Sequence, residues 1–369
     1  MNIKNSKGTI ICLIDSISSG GAQRQMVELA KGFKEKHHEV IFLVYHDIYF
    51  YKQTLEDFDI DIKLIKEDNP WLRILKIRKF IRASKPDGVI SFLQTPNLIS
   101  ILSSFPYRKW KLIVGERSAD PKIKKSIRRK FYRWLYIYAD FVVANSYENI
   151  KIVKEINPLL SNNKCKVLYN IIDQDIWKAN EEYIPIKNGK IHFTVAASHR
   201  YLKNAKGFIE GINLLKEENL LKLKVTWFGR KNEDYSYKEV KNLVEKYNLT
   251  EVIQFCNPSS EIPKHFGHSD VIGLFSLHEG LPNTVCEAIV MGKPVIASKI
   301  SDIPILLGNK KEVLFNPNSK VEIANALEYI LSLTQNDLKE IGLENKHRAN
   351  QLLNRNFIID SYLTYLIAK

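Results

Sequence analysis

Residues 271–294 read VIGLFSLHEGLPNTVCEAIVMGKP. The apolar run Val271–Phe275 has the length of a buried strand rather than a helix. A loop follows through Ser276-Leu277-His278-Glu279-Gly280-Leu281, and a helical pattern then runs over Asn283–Met291. Pro282 suits a first helical turn and Gly292 suits a C-terminal cap. Glu279 therefore sits in the loop and Glu287 inside the helix, and this spacing lets both acids point into one crevice. In an open α/β sheet, ligands occupy the crevice beyond the C-terminal strand ends. A carboxylate placed there accepts hydrogen bonds from sugar or ribose hydroxyls. The plainer account is charge complementarity at the helix start for Glu279 and a solvated face for Glu287. The flanking Gly280-Leu281-Pro282-Asn283 and Gly292-Lys293-Pro294 weigh against it.

Outward from this stretch the same rhythm recurs. Strands are expected at Thr9–Asp15, Val40–Val44, Asp61–Ile65, Gly88–Phe92, Lys111–Val114 and Phe141–Ala144, with helical segments such as Ala22–Lys36 between several of them. The pattern breaks over Asp173–Lys190, which is polar and carries Pro185 and the turn signal Asn188-Gly189. It restarts with strands at Ile191–Ala197, Lys224–Phe228, Val252–Phe255, Val271–Phe275 and Pro294–Ala297. Helices are expected at Ala205–Leu215, Tyr237–Tyr247, Asn283–Met291 and Val321–Leu333. Apolar runs alternating with amphipathic helices are what βαβ units require. The fold class is α/β: two doubly wound, Rossmann-like domains over 1–180 and 181–354, with a helix over 355–369 that crosses back onto the first.

Two further loops lie at strand ends. The strand Ile191–Ala197 runs into Ser198-His199-Arg200-Tyr201-Leu202-Lys203-Asn204. Arg200 and Lys203 at a strand mouth suit a diphosphate, the first as a planar fork and the second as a point charge. A surface loop with incidental basic residues is an equal alternative on these residues alone. The first strand leads into Ser18-Ser19-Gly20-Gly21-Ala22, where glycine lets backbone approach a ligand and the following helix start favours anions. This is not the GxGxxG of an ordinary dinucleotide site.

Composition bounds these readings. The chain has 369 residues, 45% apolar and 26% charged, which excludes wholesale disorder and points to two domains. Cys12, Cys165, Cys256 and Cys286 lie far apart without metal-ligand spacing and read as reduced thiols of a cytosolic protein. No apolar run approaches the roughly 20 residues that cross a bilayer. The 55 Lys and Arg against 41 Asp and Glu give +14, of which +10 falls within residues 1–185. Its densest part, Pro121–Arg133, carries Lys122, Lys124, Lys125, Arg128, Arg129, Lys130 and Arg133 with no acid, while Ile123, Ile127, Phe131, Trp134 and Tyr138 recur at helical spacing. Trp71–Lys85 is a second basic, aromatic stretch. An ordinary amphipathic helix packed on a sheet and a helix held against anionic lipid head groups account for these stretches equally well. Nucleic acid is a weaker third, since no recognised nucleic-acid motif accompanies the charge.

Taken together, the Gly20-Gly21-Ala22 loop, Ala144-Asn145-Ser146, Tyr169-Asn170-Ile171-Ile172-Asp173, Arg200 with Lys203-Asn204, and the Glu279/Glu287 pair resemble a family-4 retaining glycosyltransferase of GT-B architecture, two domains facing across a cleft. The resemblance implies a nucleotide-sugar donor, expected to be a UDP-sugar, with its diphosphate on Arg200 and Lys203 and its ribose on Glu287. Glu279 and the backbone of Gly280, Leu281, Pro282 and Asn283 would contact the donor sugar, and Gly20-Gly21 would close over it. It implies front-face transfer of a hexose or N-acetylhexosamine with retention, Glu279 orienting and stabilising charge rather than acting as nucleophile. No cofactor or metal is expected. The acceptor would be a lipid-linked saccharide of a bacterial surface polysaccharide, and the protein would work in the cytoplasm at the inner face of the membrane, held by segments 71–85 and 121–133.

Two features depart from the family pattern. Arg200 precedes Lys203 by three residues rather than five or six, and Ser91-Phe92-Leu93-Gln94-Thr95-Pro96-Asn97 holds no His after the fourth strand. Gln94, Asn97 and Glu116 are the acceptor-side candidates. Asp59-Ile60-Asp61 and Asp173-Gln174-Asp175 match the metal-binding DxD of another glycosyltransferase architecture by chance. The rival readings are a sugar-nucleotide epimerase on the same plan and a non-catalytic nucleic-acid-binding protein.

Overall fold

The structure, a computed structural model, describes residues 7–118, 120, 122–183, 189–231 and 236–367. Pro121, Pro185 and Asn188 lie outside the described residues. The chain divides into two units, one spanning Met1–Ile171 with Asn354–Lys369 and the other Ile172–Leu353.

The first unit is built on seven parallel strands: β1 (Thr9–Leu13), β2 (Glu39–Val44), β3 (Asp61–Leu64), β4 (Gly88–Phe92), β5 (Lys111–Glu116), β6 (Phe141–Ala144) and β7 (Cys165–Val167). Their order is β3-β2-β1-β4-β5-β6-β7, so the winding reverses between β1 and β4, where Ile10 pairs with Gly88. Side chains alternate across the sheet. Ile10, Cys12 and Ile14 face Met26, Phe33 and Tyr362, while Ile11 and Leu13 face Ile77, Ile81 and Tyr136. Burial on both faces is why the central strands read as unbroken apolar runs.

The C-terminal helix Arg355–Ile367 belongs to this first unit. It approaches so closely that a Cβ on Gly32 would lie 2.3 Å from Ile359 Cδ1, and one on Gly88 2.9 Å from Leu366 Cδ2. Arg355 pairs with both carboxylate oxygens of Glu35 (2.6 and 2.9 Å), and Lys36 pairs with Asp360 at 2.9 Å. Each fully buried aliphatic side chain in such a contact contributes about 1.5–3 kcal/mol.

The second unit has six parallel strands: β8 (Ile191–Ala196), β9 (Leu223–Phe228), β10 (Ile253–Cys256), β11 (Val271–Leu274), β12 (Val295–Ser298) and β13 (Leu314–Phe315). The order is β10-β9-β8-β11-β12-β13, reversing between β8 and β11. The helices Ala205–Ile212 and Asn283–Val290 follow those two strands. Both sheets therefore carry the topological switch point at which doubly wound proteins bind ligands. None of the four cysteines is in a disulfide, and Cys12 and Cys286 are buried.

Candidate active site

In the second unit the loops after β8 and β11 lie side by side at the switch point. The Leu277 amide donates to the Leu202 carbonyl at 2.8 Å, tying the two loops together. Asn204 sets the first of them. It adopts the left-handed conformation (φ 57°), which Asn tolerates better than most residues. Its Oδ1 caps the helix at the Gly207 amide, and its Nδ2 donates to the Pro317 carbonyl at 2.7 Å. Lys203, immediately before it, meets Glu279 of the second loop in a short Nζ–Oε1 ion pair. The structure thus brings together the cation and the acid that the sequence placed on separate loops.

Gly280 is held through its carbonyl by the Ser301 hydroxyl, and Leu281 and Pro282 are buried. Pro282, at the cap position of the helix Asn283–Val290, offers no side-chain hydrogen bond to its first turn. Pro282 is the residue before this helix rather than within its first turn. Glu287 is buried in the helix, not on a solvated face. Arg200 opens the short turn Tyr201–Lys203 with an exposed side chain and, among the described residues, no ion pair. A cavity of about 400 Å³ lies beside it, lined by His199, Arg200, Tyr201, Asn204, Leu277 and Pro317 among others. Lys203, Glu279 and Glu287 are not in its lining, so the cavity flanks the ion pair rather than containing it.

His199 is buried beneath this loop, with Trp227 stacked at 5.8 Å and Tyr237 and Phe255 edge-on at 4.8 and 5.2 Å. Neither ring nitrogen has a hydrogen-bond partner among the described residues. Burial, with Lys231 adding to it, lowers the imidazole to about 4, so the ring is neutral at physiological pH. Gly292-Lys293-Pro294 lies at the opposite edge of the sheet, before β12. Lys293 donates to the Gly267 and Ser269 carbonyls (2.9 Å each), burial lowers it to about 8, and its role there is structural.

In the first unit, Gly20 and Gly21 stand at the start of the helix Gly21–Glu35, beyond β1. Neither has a left-handed φ; a Cβ on Gly20 would meet the Gln23 amide, which holds Asp15 at 2.9 Å. Gln94 is half-buried in the first turn of the helix Gln94–Ser103. Asn97 and Glu116, expected on the acceptor side, are instead buried in an internal network. Asn97 Nδ2 donates to the Gly115 carbonyl (3.0 Å) and to the Tyr136 hydroxyl (3.1 Å), and its Oδ1 accepts from Ser91 (2.8 Å). Glu116 pairs with Arg133 at 2.8 Å and accepts from the Tyr136 hydroxyl at 3.3 Å. A polar residue at a strand end faces either the ligand or the interior, and here matching buried partners turn both inward.

The basic segments are also rearranged. In the helix Ile127–Trp134, Arg133 is buried while Ile127 and Phe131 are 86% and 57% exposed. The helix therefore does not pack its apolar stripe on the sheet. In Pro70–Ser84, Trp71 is 74% exposed, and Arg78 and Arg82 turn inward to carbonyls of residues 102–107. Asp59 pairs with Lys34 (2.9 Å), and among the described residues no group of three His, Cys, Asp or Glu side chains is placed to hold a metal ion.

Comparison with known proteins gives the family and the fold. Residues 19–176 match the family described as Glycosyltransferase Family 4, and residues 176–348 match Glycosyl transferases group 1. A Campylobacter jejuni alpha-1,4-N-acetyl-D-galactosaminyltransferase, named for its substrate GalNAc-alpha-(1->4)-GalNAc-alpha-(1->3)-diNAcBac-PP-undecaprenol, is 27% identical over 91% of this chain and 92% of its own. The amylovoran biosynthesis glycosyltransferase AmsD of Erwinia amylovora is 23% identical over 78% of this chain and 80% of its own. Among solved structures, Anabaena HepE in complex with UDP and glucose superposes with a TM-score of 0.83 at 18% identity, covering 97% of this chain and 100% of that one, a likeness of fold. Matched in succession by the two halves of that family's plan, the chain belongs to the family-4, group-1 glycosyltransferases of GT-B architecture.

Proposed function

We propose that the protein transfers a hexose or N-acetylhexosamine, with retained configuration, from a UDP-sugar to a lipid-linked saccharide in surface polysaccharide synthesis. The carrying observation is the Lys203–Glu279 contact at the switch point of the second unit. Both side chains are only partly shielded, and such a pair is weak in water. An arriving diphosphate offers Lys203 more charge than one carboxylate does. Lys203 then changes partner, Glu279 is released to accept hydrogen bonds from the donor sugar, and Glu287 receives the ribose hydroxyls. Gly20-Gly21 is assigned to closure over the donor.

In the transfer step the bond from the anomeric carbon to the diphosphate oxygen breaks, and a bond to the acceptor hydroxyl forms on the same face. The acceptor proton passes to the departing diphosphate, whose charge Arg200, Lys203 and the amides at the start of Asn283–Val290 stabilise. No metal ion enters this scheme, so a chelator should leave turnover unchanged. The acceptor class is supported by the Campylobacter and Erwinia relatives, and the donor by the UDP complex of HepE.

Work at the inner face of the membrane is supported by the inside-out helix. Exposed Ile127 and Phe131 beside Arg128 and Lys130 form a surface for anionic head groups, where each nearby cation adds about 1 kcal/mol. No described helix is long and apolar enough to cross a membrane.

A thermal-shift panel of UDP, GDP, ADP and their sugars, followed by product analysis with and without a lipid-linked acceptor, tests the reading. UDP should stabilise the fold by mass action, and transfer should require acceptor and retain configuration. Conversion of the donor alone to an epimer, or salt-dependent DNA binding with indifference to every nucleotide, would replace it.

A further inference from the structure

Arg117 follows β5 at the ligand edge of the first unit's sheet, next to Glu116 in sequence but not in role. Its guanidinium carbon lies 3.9 Å from the centre of the Phe92 ring, at the end of β4 beside the switch point. Nη1 donates to Asn170 Oδ1 at 3.1 Å and Nη2 to the Tyr362 hydroxyl at 2.7 Å. The Nε–H is buried without a hydrogen-bond partner among the described residues. These contacts orient the fork but add no negative charge.

Four other shielded cations of this unit are neutralised, Arg133 by Glu116, Lys31 by Glu28, Arg108 by Asp140 and Arg129 by Asp120, while Arg78 and Arg82 rest on backbone carbonyls. Arg117 makes no direct ion pair with a carboxylate among the described residues, Glu116 attracting it only at longer range, and burial lowers it from the usual arginine range. A desolvated charge without a counter-ion is costly to keep. Stacking on Phe92 and two neutral acceptors leave the Nε–H without a partner among the described residues and no anion in direct contact with the fork. Its fork matches the oxygens of a phosphate ester.

We propose that Arg117 is a binding residue for a phosphate or diphosphate group carried by the acceptor, with Tyr362 and Asn170 as its positioning residues. This rests on the acceptor class proposed above and names the part of that acceptor which this edge of the sheet recognises. It also gives the returning C-terminal helix a function, because the helix supplies Tyr362.

The test is calorimetry on the full chain with UDP saturating, so that the donor site is filled, titrating farnesyl diphosphate, inorganic pyrophosphate or glucuronate. Wild type should bind a diphosphate, and Arg117→Gln should weaken it tenfold or more while UDP affinity stays within twofold. Preference for farnesyl diphosphate over pyrophosphate identifies a lipid source; equal binding identifies the bare anion. If Arg117→Gln does not fold, Tyr362→Phe reads the same contact and should weaken the diphosphate about threefold. No diphosphate binding by wild type, Arg117-dependent binding of glucuronate alone, or equal affinity in wild type and variant would overturn the proposal. Failure of wild type to bind UDP would instead sink the donor reading, and the diphosphate titrations without UDP would still read Arg117.

Discussion

The two units each hold an Arg or Lys against a Glu near the ligand edge of a sheet, and the two pairs differ in kind. Arg133 and Glu116 are 0% and 5% exposed, and the Tyr136 hydroxyl adds a third partner. Lys203 and Glu279 are 28% and 17% exposed and join two loops rather than two packed elements. A buried pair is costly to break because the survivor is left charged in the interior. A pair that solvent still reaches is held less tightly and exchanges partners more readily. Burial, more than residue type, separates a pair that fixes a scaffold from one that can hand a cation to a ligand.

Breaking the buried pair should have the largest effect on the fold. Arg133→Met strands Glu116 and should cost about 3–5 kcal/mol in urea unfolding. Adding Glu116→Leu should recover most of that loss. Little change in the single variant would mean that water already reaches Glu116.

His199 sharpens the comparison, since it is buried beneath the site with no hydrogen-bond partner at either nitrogen among the described residues. Its folded value of about 4 lies below the ordinary 6.5, so the unfolded chain binds the proton first. Stability from this group is complete above pH 6.5, falls as pH drops toward 4, and falls no further below that. The full swing is about 2–3 kcal/mol, reduced because the ring borders an open cavity. His199→Leu should flatten that part of the stability–pH curve. An unchanged slope would place a protonated imidazole in the native protein.

The smallest effect belongs to the exposed apolar stripe. Ile127→Asp with Phe131→Asp should leave UDP binding intact and weaken partition onto phosphatidylglycerol vesicles by about tenfold. Equal partition would remove this helix from the membrane surface.

Much of the fold was legible because buried parallel strands leave unbroken apolar runs: β4 and β6 coincide with the runs Gly88–Phe92 and Phe141–Ala144. Cys165–Val167 and Leu314–Phe315 were not, being too short to leave a pattern. Helical periodicity found the segment Ile127–Trp134 but not its orientation. Period alone does not say which face meets the core when an arginine on the polar face has a buried acid waiting. The same ambiguity hid Asn97 and Glu116, whose partners Tyr136 and Arg133 lie far along the chain. Glu279 and Lys203 were legible from the strand–loop–helix grammar around them, whereas their contact needed the pairing of β8 with β11. Arg117 went unread because a lone Arg after a strand carries no pattern; its stacking on Phe92 and its contacts to Asn170 and Tyr362 appear only in the folded chain.

The central claim is that Lys203 leaves Glu279 for the donor diphosphate. UDP affinity by calorimetry in wild type, Lys203→Ala and Glu279→Gln tests it most directly. Lys203→Ala should weaken UDP about 30-fold, while Glu279→Gln, which frees the lysine, should bind UDP at least as tightly as wild type. Wild-type affinity in Lys203→Ala, or a parallel loss in Glu279→Gln, would contradict it.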